Sequence, residues 1–254
     1  MSPIPKTMRL DRLLANLGYG SRREMQMLAR NGRIKLDGAP LRDIEQRTPL
    51  TGDLCERLRI DGEALDPLPG LALLMNKPLG VTCSHKEAGP LVFSLLPDRW
   101  RGRDPAISTV GRLDKDTSGL LLLTDDGALL HKIISPRRTI AKIYRATLDR
   151  PLSGGAAEAF SAGTLMLEGE NKPLLPARLE VLGPREARLT LFEGRYHQAR
   201  RMFAAVGNHV VALHREAIGG LTLPSDLAAG EFRLLTGADL EALFAVADPS
   251  SPQE

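Results

Sequence analysis

Residues 111–127 read Gly-Arg-Leu-Asp-Lys-Asp-Thr-Ser-Gly-Leu-Leu-Leu-Leu-Thr-Asp-Asp-Gly. Asp114 falls in a polar turn beside Arg112, and the apolar run 120–123 that follows must be buried. A carboxylate held at the edge of a buried strand, next to a cation, is placed to act on a ligand as nucleophile, base or electrostatic partner. The same pattern also makes an ordinary surface turn in which Asp, Thr and Ser cap backbone donors. Asp116, two residues on, shares a side with Asp114 only if the segment is extended, and it reads as structural. A third chemistry would use Asp114, Asp116, Asp125 and Asp126 together to hold the metal of a nuclease. Nothing else in the chain asks for a metal. Cys55 and Cys83 lie in no CxxC or His/Cys cluster, and the five histidines have no HExxH spacing. Neither a metal nor a redox cofactor is therefore expected.

The distribution of charge says more than its sum. The net charge is only +3, yet residues 1–35 carry eight basic side chains against two acidic ones, and 36–66 reverse this with four arginines against eight acids. Two later segments, 131–145 and 194–215, hold Lys132, Arg137, Arg138, Lys142, Arg145, then Arg195, Arg200, Arg201 and Arg215, with no acid. Acid-free basic segments in a nearly neutral protein point to a polyanion-binding face. No apolar run approaches the roughly 18 residues of a membrane helix. Residues 1–7 lack the apolar centre of a signal peptide, so a cytoplasmic location is expected.

The elements that must position these groups divide in two. Leu10, Leu13, Leu14 and Leu17 form one helical face stopped by Gly18 and Gly20. Ser21-Arg22-Arg23-Glu24 is a capping box for a second helix with Met25, Leu28 and Ala29 inward. Ile34 and Leu36 begin a strand that Asp37-Gly38 turns into a hairpin. Arg9, Arg12, Arg22, Arg23, Arg30 and Arg33 lie off the apolar faces and can face a phosphate backbone. Asp66-Pro67-Leu68-Pro69-Gly70 reads as a stiff, exposed linker. Beyond it, strands are predicted at 71–75, 120–124, 139–148, 179–181, 188–192 and 210–213. In the 139–148 strand, Ile140, Lys142, Tyr144 and Ala146 share one side. Helices are predicted at 128–134, 152–162, 197–206 and 236–246, and 248–254 reads as a frayed tail. Strands not regularly alternated with helices argue an α+β fold with a mostly antiparallel sheet.

The strings Arg9-Leu10-Asp11-Arg12-Leu13-Leu14, Ser21-Arg22-Arg23-Glu24 and Gly32-Arg33-Ile34-Lys35-Leu36-Asp37-Gly38 resemble an S4 domain, a small RNA-binding module, over about 8–66. Four further strings occur in order: Asn76-Lys77-Pro78-Leu79-Gly80, the 111–127 motif, Lys142-Ile143-Tyr144 and Glu193-Gly194-Arg195-Tyr196-His197-Gln198-Ala199-Arg200-Arg201-Met202-Phe203. They make 71–247, after the 67–70 linker, similar to the pseudouridine synthases that modify ribosomal RNA with an S4 domain in front. The resemblance implies a mixed-sheet catalytic domain that isomerises uridine without a cofactor, as a monomer. It implies Asp114 as the catalytic aspartate. Tyr144 becomes the tyrosine that stacks on the target base and is a candidate to handle the C5 proton. Arg200 becomes the cation paired with the aspartate. Arg112, Lys77, Arg195 and His197 are implied RNA contacts, joined by Arg9, Arg12, Arg22, Arg23 and Arg33 of the S4 domain. Lys77, Arg195 and His197 could equally be backbone or loop anchors. The run from Tyr196 to Leu221 looks most like enzymes acting on 16S rRNA of the small subunit, at a uridine-516-type site, with ribosomal RNA or a small-subunit assembly intermediate as partner. Arg200 departs from the lysine frequent in that branch. A 23S rRNA enzyme of the large subunit and a non-catalytic rRNA-binding assembly factor are the alternatives.

Overall fold

The computed structural model describes residues 7–135 and 138–245. Lys6, Arg137, Val246 and the tail 248–254 lie outside the described residues. The chain forms two compact units. No described helix is long and apolar enough to cross a membrane.

The first unit gathers the chain up to Ala72 with Leu96–Ser108 and Thr124–Gly127. Its elements are β1 (Thr7–Arg9), α1 (Leu10–Asn16), α2 (Arg22–Arg30), β2 (Ile34–Leu36), β3 (Ala39–Pro40), β4 (Arg47–Pro49), α3 (Leu54–Arg57), β5 (Leu58–Ile60) and β6 (Glu63–Ala64). The leucines at 10, 13, 14 and 17 are all buried, together with Met25, Ala29, Ile34, Leu54 and Leu58. Ser21 and Glu24 make the reciprocal capping box that opens α2. Asp37 (φ 51°) and Gly38 (φ 81°) both take positive φ between β2 and β3, which is what a tight right-twisting hairpin turn requires. The strands pair in the order β3-β2-β5-β6, with β1 and β4 apart.

Residues 66–70 differ from expectation. Most of the segment is half-buried rather than exposed, because it is tied down. Arg103 donates to the Pro67 carbonyl (3.0 Å) and to Asp125 (2.7 Å), and Asp125 accepts from the Gly70 amide (2.7 Å). Arg99 adds a two-point ion pair to Asp66.

The second unit is built on β7 (Ala72–Lys77), β8 (Ser108–Thr109), β9 (Thr117–Thr124), α4 (Gly127–Ile134), β10 (Lys142–Leu148), α5 (Ala156–Ser161), β11 (Arg178–Gly183), β12 (Glu186–Leu191), α6 (Gln198–Ala205), β13 (Val210–Ile218), β14 (Leu221–Thr222), β15 (Phe232–Leu234) and α7 (Gly237–Phe244). The main sheet runs β11-β12-β10-β13-β9-β7-β15, with β14 on β13 and β8 on β9. The fold is α+β. The β11/β12, β12/β10, β10/β13, β13/β14 and β7/β15 pairs are antiparallel, and the central β13/β9 pair is parallel. Phe160 of α5 and Ala199, Met202 and Phe203 of α6 pack with Ala146, Leu148, Leu189 and Leu213. Ile133 of α4 and Leu243 of α7 pack with Leu74, Leu120, Leu122 and Ile218.

Several bounds shift. Strand β13 continues to Ile218 instead of stopping at 213, strand β9 starts at Thr117, strand β10 starts at Lys142 instead of 139, and α5 starts only at Ala156, after Gly155 at φ 93°. Strands β8, β14 and β15 were not expected.

Candidate active site

The row of residues across the central strands sets the site. Tyr144 of β10 pairs with Arg215 of β13, and Arg215 pairs with Gly119 of β9. Gly119 has φ 105°, and a Cβ there would stand 2.3 Å from the Arg215 carbonyl oxygen. A side chain is thus excluded, and the two backbones approach closely. Arg215 is 2% exposed. Its Nε donates to the Leu120 carbonyl at 2.7 Å, and its Nη1 is a long 3.5 Å from the Tyr144 hydroxyl.

Asp114 sits in the turn just before β9. The Thr117 amide donates to the Asp114 carbonyl (3.0 Å) and the Gly80 amide to the Lys115 carbonyl (2.9 Å). Beneath them, Lys77 is fully buried. Its ammonium donates to the carbonyls of Pro78 (3.0 Å), Asp114 (3.1 Å) and Thr117 (2.8 Å). Burial pushes this ammonium below its usual range, and the nearby Cys83, Asp114 and Asp116 oppose that. Lys77 is therefore the anchor of the Asp114 turn. The expected RNA contact at Lys77 is corrected, because its charge is spent on backbone out of reach of an external ligand.

The Asp114 carboxylate is a little over a third exposed, and Oδ1 lies 3.3 Å from His197 Nε2. His197 holds φ 47° at the N-cap of α6 and stacks on Tyr196 at 3.9 Å. Arg200 differs from expectation. Its Nη1 donates to the Val210 carbonyl (3.0 Å) and its Nη2 to the Asp116 carbonyl (2.8 Å). Among the described residues the partner of Asp114 is His197, and Arg200 instead fastens α6 to the Asp116 turn and to β13. Arg195 is also committed. It pairs with Glu193 and Glu170 and donates to the carbonyls of Lys172 and Pro173, so it ties two loops together, and the RNA contact expected of it is corrected. Arg112 is mostly exposed and pairs with Glu87 at 3.1 Å.

A cavity of about 490 Å³ brings these groups together. Asp114, Tyr144, Arg200, Arg112, Arg195 and His197 all line it, as do Thr117, Lys142 and Arg215, with Leu191, Leu213 and Ile218 among the apolar walls. Its size suits a small organic group. Sequence reasoning assigned no role to Thr117 or Tyr196, and it counted Arg215 towards a polyanion-binding face, which the burial of that side chain corrects. For Arg215 a signal existed: carrying the alternation of β13 past Leu213 places residue 215 on the same buried side. Of the nuclease carboxylates, Asp125 is committed to Arg103. Among the described residues no group of three or more His, Cys, Asp or Glu side chains is placed to hold a metal ion.

On the first unit, Arg9 and Arg22 converge on the buried Asp11, each at 2.9 Å. Arg33 pairs with Asp61. Arg12 and Arg23 are exposed.

A family model described as RNA pseudouridylate synthase matches residues 72–205, and the S4 domain model matches residues 8–49. The ribosomal small subunit pseudouridine synthase A of Escherichia coli K12 is 42% identical over 240 residues, covering 93% of this chain and all of that one. The protein of the same name from Yersinia pestis is 40% identical over 94% of this chain and 99% of its own length. A crystal structure of a pseudouridylate synthase matches at TM-score 0.65 and 36% identity, over 93% of this chain and 99% of that one.

Proposed function

The chain belongs to the RNA pseudouridylate synthase family, and from that premise we propose that it isomerises one uridine of small-subunit 16S ribosomal RNA, with Asp114 as the reacting carboxylate. The reaction breaks the N1–C1′ bond, turns the base and joins C5 to C1′. The C5 proton leaves and N1 gains one, so nothing is oxidised and no water is consumed. Such chemistry needs an enclosed place for a detached base and one carboxylate at the sugar.

The observation that carries this reading is a cavity lined by Asp114, whose carboxylate is partly open to solvent, and by Tyr144. Unstacking the target uridine costs about a few kcal/mol. Exposed Arg112 and Tyr196 at the rim supply a cation and a stacking face for the displaced strand. His197 aims the carboxylate, and Arg200 and Lys77 hold the turn that carries it. The S4 unit adds a basic surface that grips rRNA without reading the target base.

The test is Asp114→Asn and Asp114→Ala, incubated with 16S rRNA and with immature small subunits, followed by pseudouridine mapping. Both variants are expected to form none while binding RNA as the unaltered protein does. Full activity in either one removes Asp114 from the chemistry, and modification confined to 23S rRNA removes the small-subunit substrate.

A further inference from the structure

Arg215 is held by its Nε alone in a strong hydrogen bond, and its Nη2 is buried with no hydrogen-bond partner. Thr117 Oγ1 is buried and unpartnered in the same way, and both residues line the cavity under Asp114. An unpaired buried donor is costly, so such groups in a binding site mark where a ligand atom is to sit. Lys142, half-buried on the same cavity, makes only a long bond to the Ile140 carbonyl (3.3 Å). Burial pushes its ammonium down, and the nearby Arg215 charge pushes the same way. Neither cation is in an ion pair among the described residues. The cavity therefore offers charged donors that call for an acceptor oxygen.

We infer that Arg215 is the specificity-determining residue for the base, its Nη2 donating to the pyrimidine carbonyl that points away from the sugar. This rests on the proposed uridine substrate. Asp114, over a third exposed, marks the sugar end of the site, and Arg215, 2% exposed, marks its inner end. With N1 bonded to C1′ at the mouth, the ring atom opposite N1 is C4, so O4 points inward. After the base has turned and C5 is bonded to C1′, the atom opposite C5 is C2, and O2 points inward instead. One fixed guanidinium thus meets a carbonyl oxygen in both substrate and product, and a cation faces the detached base between them. Cytosine carries an amino group where uracil has O4. Two donors would then face each other, and a guanidinium has no acceptor to offer. A phosphate does not fit the same place, because the backbone of an RNA strand crosses the mouth and cannot follow the base to the inner end.

The experiment is a cycle between protein and substrate, read as single-turnover pseudouridine formation on RNAs carrying uridine or 4-thiouridine at the target. Sulfur is the weaker acceptor. In the unaltered protein 4-thiouridine is expected to react at least tenfold more slowly than uridine. In Arg215→Lys and Arg215→Met, both slower with uridine, the two substrates are expected to differ by no more than twofold. An equal thio effect in unaltered and variant proteins overturns the inference. The unaltered protein also tests it without any variant having to fold, since 4-thiouridine converted within twofold of uridine overturns it as well. The uridine lane of the unaltered protein reports the proposed substrate by itself, so the two failures are told apart.

Discussion

Gly119→Ala adds one methyl group, yet the structure says it should damage both stability and rate. The new Cβ would lie 2.3 Å from the Arg215 carbonyl oxygen and 2.7 Å from its amide nitrogen. Carbon and oxygen in ordinary contact stand roughly 3.5 Å apart, so the strands must separate by about 1 Å. Both are interior strands of the sheet, flanked by β10 and β7, and neither can move alone. Overpacking of this kind costs about 1–3 kcal/mol. The positive φ adds about 1 kcal/mol for any residue with a Cβ. The total, about 2–4 kcal/mol, lowers Tm by roughly 5–15 °C in a unit of this size.

Gly207→Ala separates the two contributions. Gly207 has φ 75°, and nothing lies within 4 Å of the place its Cβ would take, so it carries only the conformational cost, about 1 kcal/mol or roughly 2–4 °C. Thermal melts of the two variants side by side read the steric difference directly. Rate is the second readout. The clash falls on the backbone of Arg215, and a displacement of about 1 Å at a reacting site costs on the order of 10²-fold. Well below its Tm, Gly119→Ala should lose about that much single-turnover rate, while Gly207→Ala stays within about twofold, lying away from the cavity lining. If Gly119→Ala melts with Gly207→Ala and keeps full activity, the strands slide to admit the methyl group, and the glycine is not there for close approach.

Lys77→Met strips three carbonyls of their donor and should cost about 2–4 kcal/mol. It should lower kcat with little change in KM; a raised KM at constant kcat would return Lys77 to the RNA surface. In the S4 unit, Arg12→Gln with Arg23→Gln should weaken rRNA binding and flatten the slope of log affinity against log salt by about 1–2. An unchanged slope would take both side chains off the phosphates. Stability should also fall in acid. Burial pushes the Asp11 carboxyl up, but Arg9, Arg22 and the Arg12 amide outweigh that and hold it at about 2, against an ordinary 3.8. A depressed folded value stabilises above the unfolded one, so about 1–2 kcal/mol is present above pH ~4 and lost as pH falls from ~4 through ~2, allowing for the half-exposed arginines. Asp11→Asn should remove that part of the pH dependence in chemical denaturation, and an unaltered profile would mean the arginines do not hold the carboxylate.

What was legible in the sequence was what short-range chemistry decides. The four leucines of α1, the Ser21–Glu24 box and the Asp37-Gly38 turn each fix their geometry within a few residues. The pairing of β15 with β7 joins residues some 150 positions apart through a three-residue strand, and no local pattern announces it. At the site, the residue types of Asp114 and Tyr144 were readable, but the partners were not. Lys77 stands in a Lys-Pro-Leu-Gly string that looks like a surface turn, since lysine is almost never fully buried unless its charge is met. Arg215 follows His214 and precedes Glu216, so the strand reads as ending at Leu213. Asp11 looked like any polar helix position, yet it is the buried carboxylate on which Arg9 and Arg22 converge.

Apart from the exposed Arg112, paired with Glu87, the cations around the cavity fall into two sets, and the division follows from what the site has to handle. Lys77, Arg200 and Arg195 have their donors on backbone carbonyls and, for Arg195, on two glutamates. A polyanion arriving at the mouth cannot draw these away without breaking several charge-assisted bonds each, so the turn that carries Asp114 keeps its shape with RNA present. Arg215 and Lys142 are the reverse, the first with an unpartnered Nη2 and the second with one long bond to a carbonyl. The desolvation of Arg215 is already met by the folding of the sheet, with Gly119 keeping the backbones close there. A base entering the cavity gains a hydrogen bond there without first stripping water from that guanidinium. Fixed donors in a low-dielectric cavity act more strongly on charge that develops late than on a neutral substrate. On the proposed reading, the unpaired Arg215 Nη2 is therefore the group whose interaction grows when the glycosidic bond opens and the base becomes anionic.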